Sequence, residues 1–179
     1  MPHTPLPRRP APPLSVDLVD GGTWDLHAQE PEHFTLVVFY RGLHCPICKK
    51  YLSTLNRLRD RFAERGTEVV AVSMDPEARA RTAAQDWDVD ALPLGYGLTE
   101  TQARDWGLYL SDGVKDGEPD RFSEPGLFLV RPDGTLYLAV VNSVPFARPP
   151  FDDLLKAIDF VLENDYPARG EVAEAALVG

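Results

Sequence analysis

The stretch Phe34-Thr35-Leu36-Val37-Val38-Phe39-Tyr40-Arg41-Gly42-Leu43-His44-Cys45-Pro46-Ile47-Cys48-Lys49-Lys50-Tyr51-Leu52 decides the reading of this chain. Its first seven residues form a continuous β-branched and aromatic run, the pattern of a strand buried on both faces. After a short loop, Cys48, Leu52, Leu55, Leu58 and Phe62 recur at helical spacing. Pro46 suits the first helical turn, where its missing N–H costs nothing, and Gly66 suits the stop. A helix from about Pro46 to Arg65 is therefore predicted. Val69–Ser73 then reads as a second buried strand, which completes a βαβ unit with an expected right-handed crossover.

Outward from this unit the same patterns place the remaining elements. Ser15–Leu26 reads as an N-terminal hairpin, with Asp20-Gly21-Gly22 as its turn. Asp75-Pro76-Glu77 opens a helix with Asp75 as cap, and that helix carries Ala80, Ala84 and Trp87 inward. Leu92–Tyr96 reads as a short strand. Thr99 and Gln102 have capping-box spacing ahead of a helix through Trp106. Ser111–Arg121 reads as a surface loop. Gly126–Arg131 and Thr135–Val141 pair across Pro132-Asp133-Gly134, and Phe151–Leu162 closes the domain with Leu154, Leu155, Ile158 and Leu162 on one face. Early parallel and late antiparallel strands imply an α/β fold, a mixed sheet with helices on both faces and an N-terminal hairpin extension.

The chain has 179 residues, 44% hydrophobic and 26% charged, which suits one domain. Three parts are read: a Pro-rich arm over 1–13, extended or disordered, either a floppy tail or a strap across the domain or a neighbouring subunit; a domain over 14–163; and a tail over 164–179. Net charge is −10 with scattered Lys and Arg, so neither nucleic acid nor an anionic membrane is an expected partner. No stretch approaches the roughly 20 apolar residues of a membrane span. Arg8 and Arg9 precede no apolar core, so no signal peptide is read and the expected compartment is the reducing cytoplasm.

The two cysteines sit three positions apart. Such spacing in a reducing compartment reads as redox-active, sensing or metal-binding. A structural zinc site needs four ligands, and His3, His27 and His33 form no ligand-spaced set with the pair. Two buried, inert cysteines are the remaining alternative. The pair joins the end of a buried strand to a helix N-terminus, whose partial positive charge and free N–H groups favour thiolate. Arg41, His44, Lys49 and Lys50 flank it, with no acidic residue between Arg41 and Leu58. The first sulfur is expected to be exposed and the second to face the fold, so that one attacks a disulfide or peroxide and the other resolves the intermediate. Trp87, Trp106 and Phe146 read as core or interface residues, and Phe146-Ala147-Arg148-Pro149-Pro150 as a rim of the site or a contact with a second copy.

Phe39–Lys50 resembles the active-site segment of the thioredoxin superfamily, and is most similar to the peroxiredoxin-like proteins of the alkyl hydroperoxide reductase/thiol-specific antioxidant (AhpC/TSA) group. The opening strand pair, Ala71–Asp75 and Leu127–Gly134 extend the resemblance over about Leu14–Leu162. It implies a thioredoxin fold and a thiol-dependent oxidoreductase without cofactor or metal. It also implies a peroxide or disulfide substrate, a thioredoxin or small-thiol reductant, and a homodimer. Three features depart from the peroxiredoxin pattern. Cys45 occupies the place of the Thr, Arg41 that of a Pro, and Pro125 that of an Arg. The thioredoxin pattern instead has a cis-proline at the position of Pro125, which makes a cis Glu124–Pro125 bond the expectation. On that pattern Cys45 attacks and Cys48 resolves; on the peroxiredoxin pattern Cys48 attacks peroxide. Cys45 is favoured as the exposed thiol, with Arg41, His44, Pro46 and Pro125 in support. A non-catalytic redox-sensing or metal-binding module is the reading from another class.

Overall fold

A computed structural model describes residues 4–173. Among them lie nine strands, β1 (Ser15–Leu18), β2 (Thr23–Asp25), β3 (Phe34–Phe39), β4 (Thr67–Val72), β5 (Leu94–Tyr96), β6 (Leu110–Asp112), β7 (Arg121–Ser123), β8 (Gly126–Val130) and β9 (Leu136–Val141). The helices are α1 (Pro46–Ala63), α2 (Glu77–Asp86), α3 (Glu100–Asp105) and α4 (Phe151–Asn164). Seven strands form one mixed sheet in the order β2-β1-β5-β4-β3-β8-β9. β3, β4 and β5 run parallel, and β1, β8 and β9 join antiparallel to their neighbours.

β3 is buried along its whole length because both sheet faces are covered. Phe34, Leu36, Val38 and Tyr40 pack with α1, α2 and α4, through residues such as Leu52, Leu55, Ala80 and Phe151. Val37 and Phe39 face the other side, against Trp106, Phe128 and Leu14. Burying each such large apolar side chain stabilises the fold by about 1.5–3 kcal/mol. The consequence for function is positional. β3 ends in the interior of the sheet, between β4 and β8, and the loop after it is held above a rigid core.

Several elements differ from the sequence reading, each for a local reason. Asp75 does not cap α2; Pro76 holds that place, and the Asp75 carboxylate accepts from the Leu43 N–H instead. Ser111–Arg121 is not a plain loop, because β6 and β7 pair across it. Leu162 is exposed at the end of α4, while Val161 packs inward. Thr99 and Gln102 do form the capping box. The proline-rich segment from residue 4 is ordered along the outer edge of β9. Arg8 N–H donates to Leu136 O, and Leu136 N–H donates to Arg9 O. The tail packs back on the same edge as far as Ala168, whose carbonyl accepts from Arg8 Nε; residues 174–179 lie outside the described residues.

Candidate active site

α1 begins with a cysteine as its N-cap. Cys45 has extended backbone, and its Sγ accepts the Cys48 N–H at 3.2 Å. A helix N-terminus leaves donors without intrahelical partners, and here a sulfur takes the place usually filled by a Ser or Asp oxygen. This explains why the expectation of an exposed first sulfur fails. Turned inward to cap the helix, Cys45 is only 1% exposed, and Cys48 is fully buried. Both are free thiols.

The two sulfurs are electrostatically unequal. The Cys48 thiol donates to the Cys45 sulfur, and this bond is the largest cause that holds the Cys45 pKa down at about 6; the Cys48 backbone N–H, Arg41 and Arg148 act in the same direction, against burial. Cys48 moves the other way, because burial penalises its charged form and sharing with Cys45 adds to the penalty. The arrangement therefore puts the thiolate on Cys45 and keeps Cys48 as the thiol, and the thiolate is the nucleophilic form.

The loop over residues 41–44 is fixed from beneath. The buried Asp75 carboxylate accepts the Leu43 N–H at 2.7 Å and Arg79 Nε at 3.1 Å. Gly42 has φ +127, and a Cβ there would lie 2.7 Å from both Asp75 carboxylate oxygens, so the loop requires glycine. Arg41 lies over the Phe122 ring at 4.6 Å and pairs with the buried Glu124 at 3.2 Å, too poorly aligned to count as a hydrogen bond. Glu124 in turn accepts from Ser111.

The structure thus brings Cys45, Cys48, Arg41, His44 and Pro46 together at the start of α1. His44 tilts against Phe122 at 4.5 Å, with both ring nitrogens lacking partners. Burial and then the Arg41 charge lower its pKa, so it stays neutral and lends the thiolate no positive charge. Pro125 is buried just before β8, and its peptide bond is trans, correcting the cis expectation. Glu124 N–H donates to Tyr109 O, just before β6, and Pro125 O accepts Asn142 N–H, just after β9, which ties down both sides of the trans bond. Among the described residues, no three His, Cys, Asp or Glu cluster as a metal site.

The sequence reading left one participant unassigned. Arg148, in the loop between β9 and α4, stacks over the Tyr51 ring at 4.1 Å. Its charge favours the ionised form of both cysteines. Of the Phe146–Pro150 segment, Phe146 is 58% exposed rather than core. The segment borders a groove of about 330 Å³ with Ile47, Lys50, Tyr51 and Thr54 of α1. A larger apolar groove of about 590 Å³, between the N-terminal arm, β9 and α4, shares no lining residue with α1.

Comparison with solved structures supports the fold reading. Peroxidoxin BcpB from Mycobacterium tuberculosis aligns with a TM-score of 0.71 and 18% identity, over 89% of this chain and 99% of its own. The reduced Plasmodium vivax 2-Cys peroxiredoxin gives 0.71 and 20%, over 88% and 96%. Mycobacterium tuberculosis AhpC gives 0.73 and 15%, over 91% and 96%. Comparison with curated proteins finds no match. The AhpC/TSA family model matches residues 7–139, a span that contains the sheet as far as β9 and both cysteines. With that match over more than half its length, this chain belongs to the AhpC/TSA family and is a thiol-dependent, peroxiredoxin-like oxidoreductase.

Proposed function

We propose that the enzyme cycles a disulfide between Cys45 and Cys48, with Cys45 attacking and Cys48 resolving. The observation that carries this reading is the N-cap: the Cys45 sulfur accepts a backbone N–H and keeps the thiolate, while Cys48 stays protonated beneath it. With a disulfide substrate, the Cys45 thiolate displaces one thiolate and forms a mixed disulfide. Cys48 then loses its proton and attacks the Cys45 sulfur, which releases the second thiolate. With a peroxide, the Cys45 thiolate takes the terminal oxygen, alcohol or water departs, and Cys48 condenses with the sulfenic acid to release water. A thioredoxin or a small thiol returns two electrons and two protons to the pair. A homodimer, from the family likeness, and a reducing, cytoplasmic setting, from the sequence reading, complete the proposal.

Substitution of each cysteine tests the assignment. Cys48→Ser is expected to accumulate a stable mixed disulfide on Cys45, visible by intact mass, and Cys45→Ser to be inert towards disulfides. The reverse pattern, with the adduct trapped on Cys48, overturns it. The rate of the reduced protein with hydrogen peroxide, read by Trp fluorescence, divides the substrates. A rate far above a free thiol favours peroxide as the oxidant, and a rate no better favours disulfides.

A further inference from the structure

The geometry points to a recognition subsite for the carboxylate of a small disulfide, formed by Arg148 at the groove between the first turns of α1 and residues 145–152. The inference rests on the Cys45 exchange reading and names the substrate class it would take. The groove is lined by Ile47, one of the two residues between the cysteines, and by Arg148, whose charge acts on both sulfurs, so a molecule seated in it lies beside the start of α1. Its walls carry exposed apolar side chains: Ile47 is 42% exposed and Phe146 58%. Tyr51, Pro145 and Pro150 extend that lining.

Positive charge is built into the groove. The Arg148 guanidinium is clamped on the Tyr51 ring, and the Tyr51 hydroxyl donates to Pro149 O at 2.7 Å, which fixes the ring from the far side. Arg148 Nη1 and Nη2 are both buried and have no hydrogen-bond partner. Buried guanidinium nitrogens ordinarily have acceptors, so two orphans on one fork call for a planar, bidentate anion. Lys50 stands exposed at the rim, and the one acidic residue of the lining, Asp152, is occupied by Arg61 at 2.7 Å. In a chain of net charge −10, an uncommitted cationic fork beside the nucleophile selects an anion of small size. An apolar body with a carboxylate fits this lining better than inorganic phosphate, which would leave Ile47 and Phe146 without a partner.

A matched pair of aromatic disulfides separates substrate recognition from any effect on the sulfur. Dithiobis(nitrobenzoate) carries carboxylates and dithiodipyridine does not. Each releases two absorbing products, nitrothiobenzoate from the first and thiopyridone from the second, as the Cys45–Cys48 disulfide forms. Arg148→Gln is expected to slow the first by about tenfold, the scale of a lost charge-assisted bidentate contact, and the second by less than about twofold. Equal losses with both would show that Arg148 acts only through the thiolate, and unchanged rates would show that it does not act; either result overturns the subsite. Because the variant disturbs Tyr51 packing, the intact protein supplies a second readout. Benzoate is expected to slow alkylation of Cys45 and benzyl alcohol to leave it unchanged; no protection by benzoate overturns the proposal. If neither disulfide outruns a free thiol, the exchange reading fails on its own terms, while benzoate protection still reports the subsite.

Discussion

The wall of the site formed by residues 41–44 is tied down by buried charge, whereas the wall formed by residues 143–148 is held at its ends by two side chains. On the first, Asp75 receives the Leu43 N–H, Arg79 neutralises it, and Arg41 reaches Glu124 across the Phe122 ring. On the second, Asn142 Nδ2 donates to Ala147 O at 3.2 Å, and Arg148 rests on Tyr51. The contrast follows from what each wall does. Residues 41–44 fix the position of a helix N-terminus, and an error there moves the Cys45 sulfur off the Cys48 N–H. Residues 145–148 line the groove to which the carboxylate subsite is assigned. With Cys45 only 1% exposed, a disulfide reaches it only if one wall gives way, and the wall with fewer buried ties costs less to move.

The largest expected difference is in stability. Asp75→Ala leaves Arg79 Nε and the Leu43 N–H without their acceptor, with only Gly117 O still holding Arg79, and should cost about 3 kcal/mol in denaturant unfolding. Asn142→Ala on the other wall removes exposed hydrogen bonds and should cost about 1 kcal/mol or less. Equal losses would break the comparison. Gly42→Ala should follow Asp75→Ala rather than Asn142→Ala, since its Cβ would overlap the same carboxylate.

How far these walls were legible in the sequence differs for the same reason that they differ in structure. The apolar run of β3 and the period of α1 sit in consecutive residues, so the strand, the helix and the place of Cys45-Pro46-Ile47-Cys48 between them could be read directly. Asp75 was read as a helix cap, because a local rule offered a use 2–3 residues away, while its actual partner lies 32 positions back. Arg148 was seen only as part of a rim, because its distance from Cys48 is created by the β9–α4 connection and no periodicity encodes it. The inward turn of the Cys45 sulfur was missed for a different reason. Sulfur is an uncommon helix cap, and oxygen-bearing residues are the ones the capping rule looks for. The trans bond at Pro125 depended on strand ties to Tyr109 and Asn142 that a local comparison does not contain.

A second, smaller contrast lies in the pH dependence of the thiolate. The Cys45 pKa is depressed, so its thiolate persists as pH falls and is lost only through about pH 6. Alkylation of reduced protein by iodoacetamide should therefore stay near its plateau at neutral pH, whereas a free thiol loses its thiolate below about pH 8.5. Arg41 belongs to the rigid wall and helps hold the pKa down, so Arg41→Gln should move the midpoint upward. Asn142→Ala should leave the midpoint in place. A wild-type midpoint near that of a free thiol would remove the electrostatic distinction between the two cysteines.

The smallest effect concerns a single backbone angle. Ala147 sits at φ 60, a left-handed conformation that costs an L-residue roughly 1 kcal/mol and glycine almost nothing. Ala147→Gly relieves that cost in the folded state but enlarges the freedom of the unfolded chain, so its net effect on unfolding should be within about 0.5 kcal/mol. Its effect on access should have a definite sign. Glycine also lowers the cost of alternative backbone conformations for residues 143–148, the wall expected to open. The rate with dithiodipyridine should rise by about twofold, while the rate with hydrogen peroxide, which needs little opening, should stay unchanged. A rise in both would mean that the substitution acts on the sulfur itself, and a rise in neither would mean that this wall does not govern entry. Gly42→Ala, the reverse exchange on the opposite wall, should slow both reagents together, because it displaces the sulfur rather than its cover.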